Sequence, residues 1–114
     1  MYVGVDIVHI ERIKKNIKNI AFIEKIFTTK EIKYCNSYIN PINHFSGKFA
    51  AKEAVKKALL SGKIVNNVSM KDIQVLNNSD KSPYIAVNNL DGIKCNISIS
   101  HDGDYAIAFV IIEK

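Results

Sequence analysis

Two carboxylates stand in settings where an acidic side chain is unusual. Asp6 interrupts the apolar run of residues 2–8, and Glu53 lies on or beside the apolar face of a predicted helix. A carboxylate in an apolar segment is costly unless a cation or a hydrogen-bond donor pairs with it. Magnesium takes one or two carboxylates and completes its shell with water and phosphate oxygens. Asp6 and Glu53 are therefore candidate metal ligands, although each spacing taken singly also fits a structural carboxylate, with Glu53 pairing with Lys56 or Lys57.

Lysines gather on the same predicted helix as Glu53, and three of them follow a spacing of four residues. The lysines are Lys48, Lys52, Lys56 and Lys57. A stripe at this spacing lies on one face of a helix, which is typical either of a solvated surface or of a phosphate-binding one. Lysines close to two carboxylates would neutralise the phosphate oxygens that a metal does not reach. Lys48 and Lys52 are therefore candidate phosphate-binding residues.

One histidine lies where a strand gives way to a turn. His101 follows the alternating run of residues 97–100 and opens the turn 101–104. A histidine there can donate to a phosphate or transfer a proton, or it can be a turn residue without a role. His9 and His44 lack a comparable context, so no chemistry is assigned to them.

These candidates depend on elements that the apolar pattern predicts. Residues 2–8 are β-branched and apolar and predict a buried strand. Isoleucines spaced by three and four predict a helix from Ile10 to about Asn19, and residues 22–27 form a second short apolar stretch. Thr28–Glu31 predicts a capping box. The short helix that follows it should end before Pro41.

The clearest predicted helix runs from His44 to Leu60 and carries Glu53 and the lysines. Its apolar face is rich in alanine, and Ser61-Gly62 should end it. Residues 63–71 read as a loop. Strands are then predicted at Ile73–Leu76, Tyr84–Val87, Ile97–Ser100 and Tyr105–Ile112. The order of a strand, helices, a long helix and antiparallel strands argues for an α+β fold in one domain, residues 1–114.

Composition restricts the class of protein. The chain has 114 residues, 47% of them hydrophobic and 24% charged, with a net charge of +5. That charge suits an anionic partner, although abundant lysine alone would also produce it. Cys35 and Cys95 lack zinc-site spacing and are expected to be reduced. The sequence has no signal-peptide pattern, so we expect a cytoplasmic protein. It has no apolar stretch long enough to span a bilayer, so no membrane binding is expected. Its aromatic residues do not alternate with basic ones, so no nucleic-acid binding is expected either.

Three segments together resemble the holo-acyl-carrier-protein synthase family, the small bacterial type of 4′-phosphopantetheinyl transferase. They read G-V-D-I-V from Gly4, F-S-G-K-F-A-A-K-E-A-V-K-K-A-L from Phe45 and S-I-S-H-D-G-D-Y-A-I-A from Ser98. The segment F-T-T-K-E-I from Phe27 also fits, and the resemblance spans essentially the whole chain. It implies an antiparallel sheet with a long central helix, and a homotrimer with its sites between subunits. It also implies magnesium-dependent transfer of phosphopantetheine from coenzyme A to a serine of apo acyl carrier protein.

The resemblance also implies roles for matching residues. Asp6 and Glu53 match the family's magnesium ligands, and both would be catalytic. Lys57 matches a catalytic lysine near the phosphates of coenzyme A, and His101 matches a histidine that contacts coenzyme A. Arg12 matches the arginine that meets the acidic helix of the carrier protein. The basic face around it would share that contact and consists of Arg12, Lys14, Lys15 and Lys18.

Three departures from the family pattern concern the nucleotide. Lys48 stands where the family usually has arginine in a G-R-F triplet, and lysine lacks the bidentate fork, so a weaker contact to the 3′-phosphate is expected. The usual G-K-P turn reads Lys81-Ser82-Pro83, and the glycine-rich loop after the long helix is reduced to Leu60-Ser61-Gly62. We therefore expect local nucleotide contacts to differ.

Two alternatives remain at the level of sequence. The first is a non-enzymatic module that binds an acidic protein or nucleic acid through the face of Arg12, Lys14, Lys15 and Lys18, with salt-sensitive binding that needs neither magnesium nor coenzyme A. The second is a related transferase that acts on another carrier domain, such as one in a polyketide or peptide synthase.

Overall fold

Strands open and close the chain, and four helices lie between them. The computed structural model describes all 114 residues. The elements are β1 (Tyr2–His9), α1 (Ile10–Asn16), α2 (Ile20–Ile26), α3 (Thr29–Asn36), α4 (Pro41–Ser61), β2 (Ile73–Asn77), β3 (Pro83–Val87), β4 (Lys94–Asp102) and β5 (Tyr105–Glu113). A short 3₁₀ turn at Met70–Asp72 precedes β2. The predicted α+β class is confirmed.

The strands form two antiparallel sheets. One sheet has the order β1-β5-β4, and β2 pairs with β3 in the other. Asp6 lies opposite Ala108 of β5, which in turn lies opposite Ile99 of β4. Because side chains alternate along a strand, these three residues share the face of the sheet that packs on α4.

Local capping explains where the helices begin. The predicted helix from Ile10 to Asn19 is wrong in its extent, because the Asn19 side chain accepts a hydrogen bond from Ala21 N at 2.9 Å and starts α2. The predicted capping box is confirmed, since Glu31 N donates to Thr28 Oγ1 and Thr28 N donates to Glu31 Oε1. The long helix begins at Pro41, earlier than predicted, with proline in its first turn, where its missing N–H costs nothing.

Helix α4 crosses the larger sheet diagonally at two points of close approach. A Cβ on Gly4 of β1 would overlap Ala54 O, and one on Gly47 would lie 3.0 Å from His101 Nε2 and 3.1 Å from Ile99 Cγ2. The glycines therefore allow the first half of α4 to contact β4 and its second half to contact β1. This crossing brings the second half of α4 beside Asp6.

The opposite face of the same sheet carries exposed apolar side chains. Ile7 is 61% exposed and Phe109 is 43% exposed. The full set, which we call the outer sheet face, is Val3, Val5, Ile7, Tyr105, Ile107 and Phe109. No helix has the length and hydropathy needed to span a membrane.

Candidate active site

Asp6 forms an ion pair with Lys57 on the side of the sheet that faces α4. The Lys57 ammonium lies 2.8 Å from Asp6 Oδ1 and also donates to Val5 O at 3.2 Å. The side chain of Asp6 is only 15% exposed, whereas that of Lys57 is 55% exposed. The carboxylate inside the apolar strand thus has a cationic partner, as its burial requires. The structure brings together two of the predicted catalytic residues.

Glu53 lies one helical turn before Lys57 on the same side of α4. Its side chain is half-buried and forms neither of the predicted ion pairs with Lys56 and Lys57, because Lys57 pairs with Asp6 instead. No third histidine, cysteine or acidic residue joins these two carboxylates. Carboxylate oxygens are the kind of donor that magnesium accepts, with water and substrate phosphate oxygens completing its shell.

A separate cleft of about 470 Å³ lies between α3, α4, β2 and β4. His101 contributes to its wall and is fixed there, with Nε2 2.8 Å from Asn43 O. The wall includes cationic and aromatic side chains but no carboxylate. The lining residues are Tyr34, Tyr38, His44, Gly47, Lys48, Val75, Asn77, Lys81, Pro83, Ile97, Ser98, Ile99 and His101. This composition suits an anionic ligand that has an apolar or aromatic part.

An aromatic cluster forms one side of the cleft. The His44 ring stacks on Tyr38 with centroids 3.7 Å apart, and the hydroxyls of Tyr34 and Tyr38 lie 2.9 Å apart. Burial, with the Tyr38 hydrogen bond, raises the pKa of Tyr34 to about 12. Burial lowers the pKa of His44, and the cationic form of nearby His101 adds to the effect. Tyr34 is therefore protonated at neutral pH, and His44 favours its uncharged form.

His44 is a cleft residue to which the sequence assigned no chemistry. It precedes Lys48 by one turn of α4, so it continues the spacing of four that identified the lysine stripe. Extending that spacing toward the N-terminus would have detected it.

Two members of the lysine stripe, Lys48 and Lys52, are buried, so the stripe as a whole is not a solvated face. Lys52 is fully buried, and its ammonium lies 2.8 Å from Glu31 Oε1 while donating to Met70 O and Ile73 O. The prediction that Lys52 binds the cofactor is wrong, because all three N–H donors are engaged inside the protein. Burial lowers the pKa of Lys52, and the Glu31 carboxylate opposes that shift.

Lys48 lies in the wall of the cleft but is directed mainly inward. Only 4% of the residue is exposed. Its ammonium donates to Val75 O and to Asn77 Oδ1, both at 2.6 Å, and lies 4.6 Å from the centre of the Tyr34 ring. Burial lowers the pKa of Lys48 as well. Its contribution to ligand binding is therefore limited to whatever its third N–H can reach.

The remaining predicted residues form no ion pair with either cluster. Four basic side chains are exposed on α1 and the turn after it, namely Arg12, Lys14, Lys15 and Lys18. The Asp6–Lys57 pair and the cleft are also distinct from each other. Gly47 in the cleft and Lys57 are about 15 Å apart along the axis of α4 at 1.5 Å per residue. A single chain therefore presents two separate clusters rather than one cavity.

Comparisons with known proteins agree on one family. A sequence model described as the 4′-phosphopantetheinyl transferase superfamily matches residues 2–110. The holo-[acyl-carrier-protein] synthase of Thermodesulfovibrio yellowstonii is 47% identical over 112 residues, covering 96% of each chain. A Bacillus anthracis holo-(acyl-carrier-protein) synthase solved with CoA (3′,5′-ADP) has a TM-score of 0.82 and 31% identity, over 97% of this chain and 94% of that one. The Chronobacterium ammoniagenes ACPS–CoA complex has a TM-score of 0.87 and 25% identity, over 98% and 96%.

The resemblance noted from the three sequence segments is thus confirmed over nearly the whole length of the chain. Two solved relatives hold coenzyme A or its nucleotide, and the fold of this chain follows theirs throughout. The chain belongs to the holo-[acyl-carrier-protein] synthase family of the 4′-phosphopantetheinyl transferase superfamily.

Proposed function

We propose that this protein transfers the 4′-phosphopantetheine group of coenzyme A to a serine of apo acyl carrier protein, releasing 3′,5′-ADP. The observation that carries the proposal is near-full-length similarity to enzymes of that name, two of them solved with coenzyme A or its nucleotide. The carboxylates and the anion-compatible cleft supply the groups that such a reaction needs.

In this reaction the serine oxygen forms a bond to the β-phosphorus and the pyrophosphate bond breaks. The serine proton is lost, and the 3′,5′-ADP half departs with the electron pair. Asp6 and Glu53 would hold magnesium, which offsets the charge that develops on the leaving phosphate. Lys57, partly exposed beside Asp6, adds a cation for phosphate oxygens. We assign to Glu53 the orientation of a water that accepts the serine proton.

The nucleotide half of coenzyme A fits the cleft. Tyr38, His44, Pro83 and Ile99 offer aromatic and apolar contacts, and His101 offers an imidazole held by Asn43 O. The cleft lacks carboxylates, so it does not repel phosphate. Lys48 remains a candidate for a phosphate contact. That contact would be weak, because the Lys48 ammonium already donates to two acceptors inside the protein.

We propose that the protein is a homotrimer with each site shared between subunits. Two observations support this. The cleft and the Asp6–Lys57 pair are separate within one chain, and in a trimer an adjacent copy would place its carboxylates against the first copy's cleft. The outer sheet face is also apolar on two neighbouring strands, and apolar patches of this kind mark contacts between proteins.

The carrier protein would dock on the basic face of α1. Arg12, Lys14, Lys15 and Lys18 are all exposed, and such a face attracts an acidic partner and speeds encounter at low salt. Because rim charges act mainly on association, neutralising this face should raise the KM for carrier protein more than it lowers kcat.

Release of 3′,5′-ADP tests the proposed function. The nucleotide should be detected by chromatography only when coenzyme A, magnesium and apo carrier protein are all present. A non-enzymatic basic module would bind the carrier in a salt-sensitive way and release no nucleotide. A transferase for another carrier domain would release it with a polyketide or peptide synthase domain but not with acyl carrier protein.

A further inference from the structure

Lys81 holds a backbone conformation that lysine rarely adopts. It lies in the turn between β2 and β3 with φ of +73°. In this left-handed region the Cβ crowds the backbone, and glycine is favoured. Such strain persists only where the surrounding structure enforces it, and it concentrates at functional sites. Lys63 also has a positive φ, of 55°, but it lies outside the cleft, whereas Lys81 lines the cleft wall.

The turn is held in place by hydrogen bonds from both sides. Lys81 N donates to Asn78 O at 2.8 Å, and Asn78 N donates to Ser82 O at 2.9 Å. The Asn77 amide donates to Lys81 O at 2.9 Å and accepts from the Lys48 ammonium at 2.6 Å. Lys48 thus connects helix α4 to the turn through Asn77 and helps to fix the position of Lys81.

Among the cationic side chains of the cleft wall, Lys81 has the fewest hydrogen-bond and ion-pair partners. Its ammonium lies 5.7 Å from the centre of the Tyr38 ring and takes part in neither of the two ion pairs of the chain. By contrast, Lys48 donates to two internal acceptors, and His101 Nε2 is bound to Asn43 O. Lys81 therefore has N–H donors available for a ligand.

We propose that Lys81 is a specificity-determining residue that binds the 3′-phosphate of coenzyme A, the contact that family resemblance assigns to Lys48. The inference rests on the proposed function, which places the nucleotide in this cleft. The pyrophosphate belongs with Asp6 and Glu53, which lie outside the cleft, so the phosphomonoester is the anion left for Lys81. Lys48 and Asn77 act as positioning residues through the turn.

Calorimetric binding of adenosine 3′,5′-bisphosphate and of 5′-AMP to the full chain tests this role without any transfer step. We expect the wild type to bind the bisphosphate more tightly than 5′-AMP. Lys81→Gly should weaken bisphosphate binding about tenfold, the range of a charge-assisted hydrogen bond, and leave 5′-AMP binding unchanged. It should also raise Tm by roughly a few degrees, because glycine relieves the left-handed strain.

Two control variants separate this effect from charge and strain. Lys71→Gln removes an exposed lysine away from the cleft, and Asn89→Gly relaxes another left-handed residue, with φ of +61°. Both should bind the bisphosphate like the wild type. The proposal would be overturned if Lys81→Gly bound the bisphosphate with an unchanged Kd, or if it lost affinity for 5′-AMP as much as for the bisphosphate. It would also be overturned if Lys71→Gln weakened bisphosphate binding as much as Lys81→Gly does, or if the wild type bound 5′-AMP as tightly as the bisphosphate. A chain that binds the bisphosphate in this pattern but releases no 3′,5′-ADP would contradict the transferase function alone.

Discussion

Asp6, whose carboxylate forms an ion pair with Lys57, is the central residue of the candidate site. Because the Lys57 side chain is 55% exposed, solvent weakens its ion pair with Asp6 relative to a fully buried pair. We expect a divalent cation bound at Asp6 to displace the Lys57 ammonium. Lys57 would then be free to move toward phosphate oxygens.

Replacing Asp6 with Asn should abolish most activity while leaving the fold intact. The amide keeps the size of the side chain but offers a poor ligand for magnesium. We expect kcat to fall about 100-fold or more at saturating coenzyme A, and circular dichroism to show a native spectrum. A kcat within threefold of the wild type would remove Asp6 from the metal site.

Replacing Glu53 with Gln tests the second carboxylate and its assigned proton role. Glu53 has no ion-pair partner in the chain, so the variant leaves no cation unpaired and should be as stable as the wild type. We expect a slower transfer with an altered pH profile at saturating magnesium. Glu24→Gln, an exposed change on α2, is the control. Near-normal activity with an unchanged profile would exclude the proton role.

His44 predicts a pH dependence of stability. Burial holds its folded pKa below the ordinary value of 6.5, so between these two values the unfolded chain binds more protons. Stability should therefore rise as pH rises through this window, and below the window the contribution of His44 should no longer change with pH. In His44→Phe the loss of stability between pH 7 and pH 5, measured by urea unfolding at fixed protein concentration, should be smaller. Equal losses in both proteins would contradict this account.

At the scale of elements, charged side chains take the place of a strand along the free edge of β2. Val75 N donates to Glu31 Oε2 at 2.8 Å, Val75 O accepts from Lys48, and Ile73 O accepts from Lys52. An open edge exposes backbone groups that can pair with another chain. Here α3 and α4 satisfy them and attach the small sheet to the core.

Lys52→Met should be strongly destabilising, because it leaves Glu31 buried without its cation. Loss of one partner of a buried pair costs about 3–5 kcal/mol, measurable by urea unfolding. Lys52→Met/Glu31→Gln should recover part of that loss, since no charge then remains unpaired. Lys56→Met, on the same helix, is the control and should have a small effect. A loss below about 1 kcal/mol in the single variant would show that the network does not hold β2.

The sequence predicts best those features that depend on interactions between residues close together in the chain. Apolar spacing and the Thr28–Glu31 capping box are local, so the class, the strands and most of the helices were predictable. Spacing also placed Lys48 and Lys52 on one helix face, but it could not show that β2 covers that face, because those carbonyls arrive from a distant segment. The apolar settings of Asp6 and Glu53 made them candidate metal ligands, the resemblance assigned them to magnesium, and their metal roles stay predictions.

At the scale of the whole molecule, the outer sheet face predicts association. Ile7→Glu places a charge at the centre of an apolar patch and should convert a trimer into monomers in sedimentation experiments at micromolar concentration. Activity should fall with it if each site is shared. Ile39→Glu is the matched control, since Ile39 is fully exposed away from that face and its change should leave the assembly intact. A monomeric wild type would contradict the shared site.

The mass of the carrier protein tests the central claim most directly. Apo acyl carrier protein incubated with this protein, coenzyme A and magnesium should gain about 340 Da, the mass of one phosphopantetheine group, on its serine. Asp6→Asn under the same conditions should give little or no gain. No gain with the wild type, in magnesium or in manganese, would contradict the account.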